Sequence, residues 1–341
     1  MFTASYVCGV APRGTHAPAA QRFSASAPIV QSHKLSGLFA DRYMIERAVG
    51  RGASASVYAA HDTKQDRRIA LKVLDNALAD ALGAKRFLQE IRITSRLQHP
   101  HILPIYDSGE WQGLLYYVLP FIAGESLRDK LTREKQLPIE ECVQLTCDVA
   151  SALAHAHSKG VIHRDVKPEN ILLSEGHALV ADFGIARTID IHTGERLTSS
   201  GLIVGTSQYM SPEQASGERE IDARSDIYSL GCVLYEMLAG MEPFVGPNVQ
   251  AVIAQRFTHT PRPVTTYRPS VPPRLVQVLE RALAVSPADR FQTMKEFESA
   301  LPAATASPQE RRKPGRRLRD LMRTTRGKVG AVASLGLVAA L

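Results

Sequence analysis

The feature that most constrains this chain is a polar loop of eight residues, His163 to Asn170, followed closely by an acidic turn at Asp182. Asp165 lies inside the loop, where its carboxylate can accept the proton of an attacking hydroxyl group. Asn170 and Asp182 offer oxygen atoms, which are the ligands that Mg²⁺ prefers. The spacing places a base beside a nucleophile and metal ligands beside phosphates, as phosphoryl transfer from ATP requires.

The sequences of these two segments, HRDVKPEN and ADFG, resemble the catalytic and metal-binding loops of the protein kinase family. The similarity runs from about Tyr43 to Leu301, and Lys167 matches the serine/threonine form of the loop. The sequence SPEQ at 211–214 is typical of bacterial, eukaryotic-like (Hanks-type) serine/threonine protein kinases. The resemblance implies an α+β, bilobal protein-kinase fold, with a small antiparallel-sheet N-lobe carrying one main helix and a larger, mostly helical C-lobe. It also implies transfer of the ATP γ-phosphoryl group to protein Ser/Thr hydroxyls in bacterial signal transduction.

A glycine-containing turn between the first two predicted strands is expected to cover the phosphates of ATP, because glycine lets the backbone approach closely. A strand follows this turn, which excludes the dinucleotide-binding fold, where a helix follows such glycines. Ala55 stands where kinases usually have the third glycine. The resemblance implies that ATP is contacted by Val49, Gly50, Gly52, Val57, Ala70, Lys72, Leu119, Phe121 and Leu172. For each apolar residue taken singly, ordinary core packing is the alternative.

The resemblance also assigns the catalytic roles. Asp165 is the expected base, and the Lys167 ammonium is expected to neutralise charge on the transferred group. The implied catalytic set is Asp165, Lys167, Asn170, Lys72 and Glu90, with Asn170 and Asp182 as metal ligands. ATP and Mg²⁺ are the expected cofactors, with Mn²⁺ as the alternative metal.

Lys72 is expected to hold the α- and β-phosphates of ATP. Its implied ion-pair partner is Glu90, on the predicted helix of the first lobe. Glu46 and Asp75 are the other acidic residues that could serve as this partner.

The segment 185–205 resembles an activation loop, and its candidate phosphosites are Thr198, Ser199 and Ser200. A phosphate there would add a charge of about −2 and could pair with Arg164. The alternative is a mobile loop that is merely rich in hydroxyl groups.

Four further residues are expected to support the site. Thr206 should hydrogen-bond the catalytic base, and Glu213 should form a buried ion pair with Arg290. Asp226 should anchor the backbone of the catalytic loop from below.

The net charge of +7 does not indicate a nucleic-acid partner. The segment 302–341 contains nine Lys and Arg residues and two Asp and Glu residues, so it accounts for the whole excess. The rest of the chain is balanced, and no nucleic acid is expected as a partner. The four cysteines lack metal-binding spacing and suit a reducing, cytoplasmic setting.

Composition and the resemblance to protein kinases together predict four regions. Residues 1–40 lack acidic side chains and are expected to be disordered, with an organellar transit peptide as the alternative. The kinase domain is expected at 41–301, with its N-lobe at 41–120 and its C-lobe at 121–301. A basic, juxtamembrane-like linker (302–328) and an apolar tail (329–341) follow.

The tail of thirteen uncharged residues would reach only about 20 Å as a helix, whereas a bilayer core needs about 30 Å. We interpret it as the start of a truncated transmembrane helix that anchors a cytoplasmic kinase domain, because basic residues precede it. The alternatives are an interfacial anchor, a floppy apolar tail and a solvated basic linker. A homodimer is expected only by analogy with the family.

Helical periodicity predicts the main helices at 84–97, 139–159, 226–239, 275–284 and 294–301, with a linker marked by Pro302 and Pro308. His155, His157 and His163 are close in sequence, but His155 and His157 cannot share a helix face, so no metal site is expected from these three.

Two rival functions share parts of these patterns. A pseudokinase scaffold would lack Lys72, Asp165 or Asp182, and all three are present. A small-molecule phosphotransferase of the aminoglycoside-kinase type would lack the segment 206–213, which shapes a platform for peptides.

Overall fold

The computed structural model describes residues 42–52, 55–75, 84–111, 113–183, 208–218 and 220–305. They form two lobes joined by an extended segment after Pro120, which is the two-lobed α+β architecture that the sequence predicted. Gly124 lies in this connection, where a Cβ atom would collide with the backbone oxygen of Leu173. Glycine there lets the connection lie directly against the large lobe.

The small lobe is a five-stranded antiparallel sheet with one helix against it. Its strands are β1 (Tyr43–Arg51), β2 (Ala55–Asp62), β3 (Arg67–Leu74), β4 (Asp107–Trp111) and β5 (Leu114–Pro120), in the spatial order β1-β2-β3-β5-β4. The helix α1 (Ala84–Thr94) buries Phe87 and Ile91 against Leu115 and Tyr117 of the sheet. These buried apolar side chains therefore attach α1 to the sheet.

The large lobe is built around two helices, α3 (Ile139–Ser158) and α5 (Arg224–Ala239). Every residue of α5 after its first is buried, so this helix forms the centre of the lobe. The other helices are α2 (Leu127–Glu134), α4 (Pro212–Ala215), α6 (Val249–Thr258), α7 (Pro273–Ala282) and α8 (Met294–Thr305). A small sheet of β6 (Glu125–Ser126), β7 (Ile171–Ser174) and β8 (His177–Val180) lies beneath the connection. Short 3₁₀ turns occur at Pro168–Asn170, Val264–Thr266 and Pro287–Asp289.

The last helix corrects one prediction. Pro302 was expected in a linker, but α8 continues through it to Thr305. Leu301 and Ala304 are buried in the core of the large lobe, and this packing holds the extra turn although proline donates no helical hydrogen bond.

Within the described ranges, no helix combines the length and the apolar character that crossing a bilayer requires. The segments 1–40, 306–328 and 329–341, on which the disorder, linker and anchor predictions fall, lie outside the described residues. Those predictions stay predictions.

Candidate active site

The catalytic loop is held from below by a buried carboxylate. Asp226, at the start of α5, has no exposed surface and accepts hydrogen bonds from the backbone N–H groups of His163 and Arg164, each at 2.8 Å. His157 Nε2 lies 2.7 Å from the same carboxylate. Burial alone would raise the pKa of Asp226, but the bonds from His157 and the backbone outweigh it and hold the pKa below its ordinary value. The predicted anchoring role of Asp226 is confirmed by these contacts.

Two polar side chains of the loop converge on the Asp165 carboxylate. Lys167 Nζ lies 2.8 Å from Asp165 Oδ2. The Asn170 amide nitrogen donates to the backbone oxygen of Asp165 at 2.9 Å and to its Oδ2 at 3.1 Å. Because the Asn170 nitrogen faces Asp165, the carbonyl oxygen of that amide is the atom left to bind a cation.

His163 joins this loop to the acidic turn. Its Nε2 lies 3.0 Å from the backbone oxygen of Ala181, and its ring lies 4.7 Å from that of Phe183. Arg164 and Asp182 both have positive φ angles, 65° and 61°. Backbone conformations of this kind cost energy for residues other than glycine and are commonly found at functional sites.

Asp182 binds two side chains of the small lobe. Lys72 Nζ lies 2.5 Å from Oδ2, and the Tyr117 hydroxyl donates to Oδ1 at 2.8 Å. Burial would raise the pKa of Asp182, but the Lys72 ammonium and the Tyr117 hydroxyl outweigh it, so the pKa lies below its ordinary value. Asp182 is therefore held as a carboxylate, the form that a metal ion needs.

Lys72 does not meet the partner that the sequence predicted. Among the ion pairs of the described residues, Lys72 contacts Asp182, and no pair joins it to Glu90. The Lys72 and Asp182 side chains are only 17% and 13% exposed, and attraction between charges is stronger where water is scarce. The partnership with Glu90 stays a prediction.

Most of the predicted nucleotide contacts line a single cavity at the mouth between the lobes. Its walls are Val49, Val57, Ala70, Pro120, Phe121, Ile122 and Leu172. Gly50 pairs with Val57 across the first hairpin, and the Gly52 N–H donates to the Ala55 oxygen at 2.8 Å. Leu119 lines the neighbouring cavity, together with Asp182, Phe183 and Tyr117.

Tyr117 is the residue of this site that sequence reasoning missed. It pairs with Lys72 in the register between β3 and β5, and its side chain shares the buried face of β5 with Leu115 and Leu119. The alternation of side chains along a strand was the signal that could have found it, since Tyr117 lies two positions before Leu119.

A buried ion pair supports the far side of the site, as predicted. Arg290 binds Glu213 through two parallel hydrogen bonds of 2.7 and 2.8 Å. Arg290 has no exposed surface and also donates to three backbone oxygens, those of Ala284, Val285 and Arg224. Its donors are thus satisfied, as a buried guanidinium requires.

A second buried network of hydrogen bonds links Glu169 of the catalytic loop to Tyr209 and to Glu236 of α5. Arg128 donates to Glu169 at 2.8 Å and to Glu236 at 2.6 Å, and the Tyr209 hydroxyl donates to Glu236 at 2.5 Å. Glu169 directly precedes Asn170 in the catalytic loop. Sequence reasoning did not identify this network, because its members come from four separate segments.

The candidate phosphosites Thr198, Ser199 and Ser200, and also Thr206, lie outside the described residues. Their assignments stay predictions.

Comparison with known proteins agrees with this geometry. The sequence model of the protein kinase domain matches residues 43–300. The chain is 40% identical over 267 residues to the serine/threonine-protein kinase PknB of Mycolicibacterium smegmatis, covering 76% of this chain and 42% of that protein. It is 41% identical over 272 residues to the serine/threonine-protein kinase PknE of Mycobacterium tuberculosis, covering 79% of this chain and 47% of that protein. The chain therefore spans less than half the length of these relatives.

Proposed function

This chain belongs to the protein kinase domain family, and we propose that it is a bacterial serine/threonine protein kinase that phosphorylates protein hydroxyls with ATP. The observation that carries the proposal is the contact of Asp165 with Lys167 and Asn170, beside the Lys72–Asp182 pair that joins the two lobes. These groups suit a base, charge neutralisation and metal binding at one place.

The side chains present fit ATP and a divalent cation. The Asn170 carbonyl oxygen and the Asp182 carboxylate are oxygen donors, which favours Mg²⁺, with Mn²⁺ as the alternative. Val49 and Val57 border a cavity whose apolar lining matches the faces of a nucleotide base, and Pro120 and Ile122 also line it. When bound, ATP supplies the phosphoryl group and the cation screens its negative charge.

Asp165 orients the substrate hydroxyl and receives its proton. Its carboxylate is fixed by Lys167 and Asn170, so little reorganisation is needed when the hydroxyl arrives. The Lys167 ammonium, already beside Asp165, stabilises the negative charge that develops on the group in transfer.

Lys72 has two positions in this proposal. It holds Asp182 in the structure described here, and it turns to the phosphates with Glu90 as its partner when nucleotide binds. Tyr117 keeps Asp182 oriented while Lys72 is engaged elsewhere, because its hydroxyl bonds the other carboxylate oxygen.

The wider assignments extend the same proposal. We place a kinase domain at 41–305, which includes the whole of α8, with regulatory phosphorylation at Thr198, Ser199 or Ser200 read by Arg164. The basic segment 306–328 and the apolar segment 329–341 support attachment of the kinase to a membrane. The proposed homodimer is supported only by the family resemblance.

Autophosphorylation tests the proposal. The full chain is incubated with ATP and Mg²⁺ beside Asp165→Asn, and phosphosites are mapped by mass spectrometry. We expect phosphate on Thr198, Ser199 or Ser200 in the wild type and none in the variant. Asp66→Asn makes the same chemical change at a side chain that is 96% exposed, and it should behave as the wild type.

Two outcomes would contradict the proposal. Equal phosphate incorporation in the wild type and Asp165→Asn would remove Asp165 as the base. Thermal stabilisation by ATP without any phosphate transfer, to itself or to a generic protein substrate, would favour the pseudokinase scaffold.

A further inference from the structure

Two histidines and an aspartate that are distant in sequence meet on the large lobe, away from the proposed kinase site. His101 follows α1, Asp148 lies on α3, and His177 opens β8. Each offers one ligand atom, and the three atoms lie within 4.8 Å of one another. Two imidazoles and a carboxylate form a donor set that is found in transition-metal sites.

The hydrogen bonding of His101 fixes which of its nitrogens faces this group. Nδ1 lies 2.9 Å from the backbone oxygen of Ala178. A carbonyl oxygen can only accept, so Nδ1 carries the proton and Nε2 presents its lone pair to the group. That Nε2 lies 3.7 Å from Asp148 Oδ1. Metal-binding histidines are usually held in this way, with the second nitrogen donating to a carbonyl or carboxylate.

Asp148 is also held in place by partners outside the group. Its side chain is 5% exposed, Oδ1 accepts from the Gln144 amide at 2.8 Å, and Oδ2 accepts from the Ala178 N–H at 3.1 Å. His177 Nδ1 lies 3.2 Å from Oδ2, on a side chain that is 60% exposed. His101 and Asp148 are therefore held in fixed orientations, and the exposed His177 side chain leaves the group accessible to an ion from solvent.

We propose that His101, Asp148 and His177 form a three-ligand site for a transition-metal cation of the Zn²⁺ class. Zinc bonds of about 2.0–2.2 Å in a tetrahedron place neighbouring ligand atoms roughly 3.3–3.6 Å apart. His101 Nε2 lies 3.7 Å from Oδ1 and His177 Nδ1 lies 3.2 Å from Oδ2, so each imidazole is near that spacing from one of the two Asp148 oxygens. A water molecule completes the coordination. Imidazole ligands distinguish this site from the all-oxygen set proposed for Mg²⁺.

The bound ion would reinforce the contacts among the three elements. His101 O accepts from the Val180 N–H at 2.9 Å, and Val180 O accepts from the Leu103 N–H at 2.9 Å. Val180 ends β8, two residues before Asp182. A metal at His101 and His177 therefore ties the segment after α1 to α3 and to the strand that leads into the kinase site, and it should stabilise the folded state.

Calorimetric titration of the full chain with Zn²⁺ tests the site. The titration is made without nucleotide and in excess Mg²⁺, with the wild type beside His177→Ala and His101→Asn. The asparagine amide can keep the hydrogen bond to Ala178 while removing the nitrogen that faces the metal. We expect each variant to bind at this site more than tenfold more weakly, since loss of an outer partner alone costs about 10- to 100-fold. His259→Ala removes another exposed histidine as the matched control and should leave the affinity within twofold.

Thermal unfolding gives the second measurement. At a hundredfold excess of Zn²⁺ over its dissociation constant, the wild-type melting temperature should rise by about 5 °C, and that of His177→Ala should not. Because His177 is largely exposed, this variant should keep the fold, and its melting temperature without metal checks that it does. Equal zinc affinity in the wild type and His177→Ala, or no zinc binding by the wild type, would overturn the proposal.

Discussion

The two sides of the proposed active site are held by different kinds of contact. The catalytic loop of the large lobe rests on Asp226, whose buried carboxylate binds two backbone N–H groups and His157. On the small-lobe side, α1 is attached through the buried apolar side chains Phe87 and Ile91. Hydrogen bonds are directional, whereas apolar packing is not and therefore constrains orientation less.

This difference is consistent with the contacts at the site. The catalytic-loop residues of the large lobe are already in contact, whereas Lys72 and Glu90 of the small lobe form no ion pair among the described residues. Asp165, Lys167 and Asn170 are in mutual contact, as expected for a loop with directional anchors. Lys72 instead binds Asp182 of the other lobe, and Glu90 stands on α1 without that ion pair among the described residues. We infer that the large lobe carries a preorganised half-site and that the small lobe completes it by a movement of α1.

The largest expected effect comes from breaking the anchor of the large lobe. Asp226→Ala leaves the backbone N–H groups of His163 and Arg164 buried without their acceptor. Each such loss costs about 1–3 kcal/mol, so we expect the free energy of unfolding to fall by roughly 3–5 kcal/mol and phosphoryl transfer to be lost. Urea denaturation measures the change in the free energy of unfolding. A phosphorylation assay of the protein that remains folded measures the loss of phosphoryl transfer.

Glu110→Ala, at an exposed carboxylate of the small lobe, is the matched control for this change. It should alter the free energy of unfolding by less than about 0.5 kcal/mol. If Asp226→Ala unfolded at the wild-type urea concentration, the catalytic loop would not depend on the buried carboxylate, and the contrast between the lobes would fail.

An intermediate effect is expected at Tyr117, where the two sides meet. Tyr117→Phe removes the hydroxyl that donates to Asp182 but keeps the ring that lies 6.3 Å from Phe87. We expect a loss of about 1.5–3 kcal/mol in the free energy of unfolding, as for one hydrogen bond to a charged group. Without this donor, the pKa of Asp182 moves back upward, and the carboxylate is less well oriented. The Mg²⁺ concentration for half-maximal activity should therefore rise several-fold.

Tyr116→Phe controls for the loss of a tyrosine hydroxyl on the same strand. Tyr116 belongs to the opposite face of β5, where it packs with Tyr43. Its variant should keep the Mg²⁺ dependence of the wild type. An identical Mg²⁺ dependence in the Tyr117 and Tyr116 variants would show that the Tyr117 hydroxyl does not position Asp182 for the metal.

The contacts that the sequence predicted correctly are those that the resemblance to protein kinases implies. Asp226 below the catalytic loop and the Glu213–Arg290 pair both belong to this group. Helix α2 was missed although its signal is local: Ser126 and Asp129 form a reciprocal cap at its start. Helix α6 likewise begins with a capping asparagine, Asn248.

Other contacts had no local signal. Tyr117 and Asp182 are far apart in sequence, and only the packing of the two lobes brings them together. The partner of Lys72 depends on the position of α1, which apolar packing leaves adjustable, so spacing alone cannot settle it. The group of His101, Asp148 and His177 shows the same limit, since its members come from three elements without a common spacing.

The smallest effect on stability, and the sharpest test of the comparison, is expected at Glu90. If Glu90 engages Lys72 only when nucleotide binds, Glu90→Gln should change the free energy of unfolding of the nucleotide-free protein by less than about 0.5 kcal/mol. It should nevertheless lower the rate of phosphorylation at least about tenfold, because Lys72 is then poorly positioned toward the phosphates.

Glu110→Gln, at an exposed carboxylate on β4, is the control and should change neither the stability nor the rate. Wild-type activity in Glu90→Gln would contradict the proposed movement of α1 and would leave Asp182 as the working partner of Lys72. A loss of stability without nucleotide would instead show that Glu90 already supports the small lobe, and the two sides of the site would then differ less than their contacts indicate.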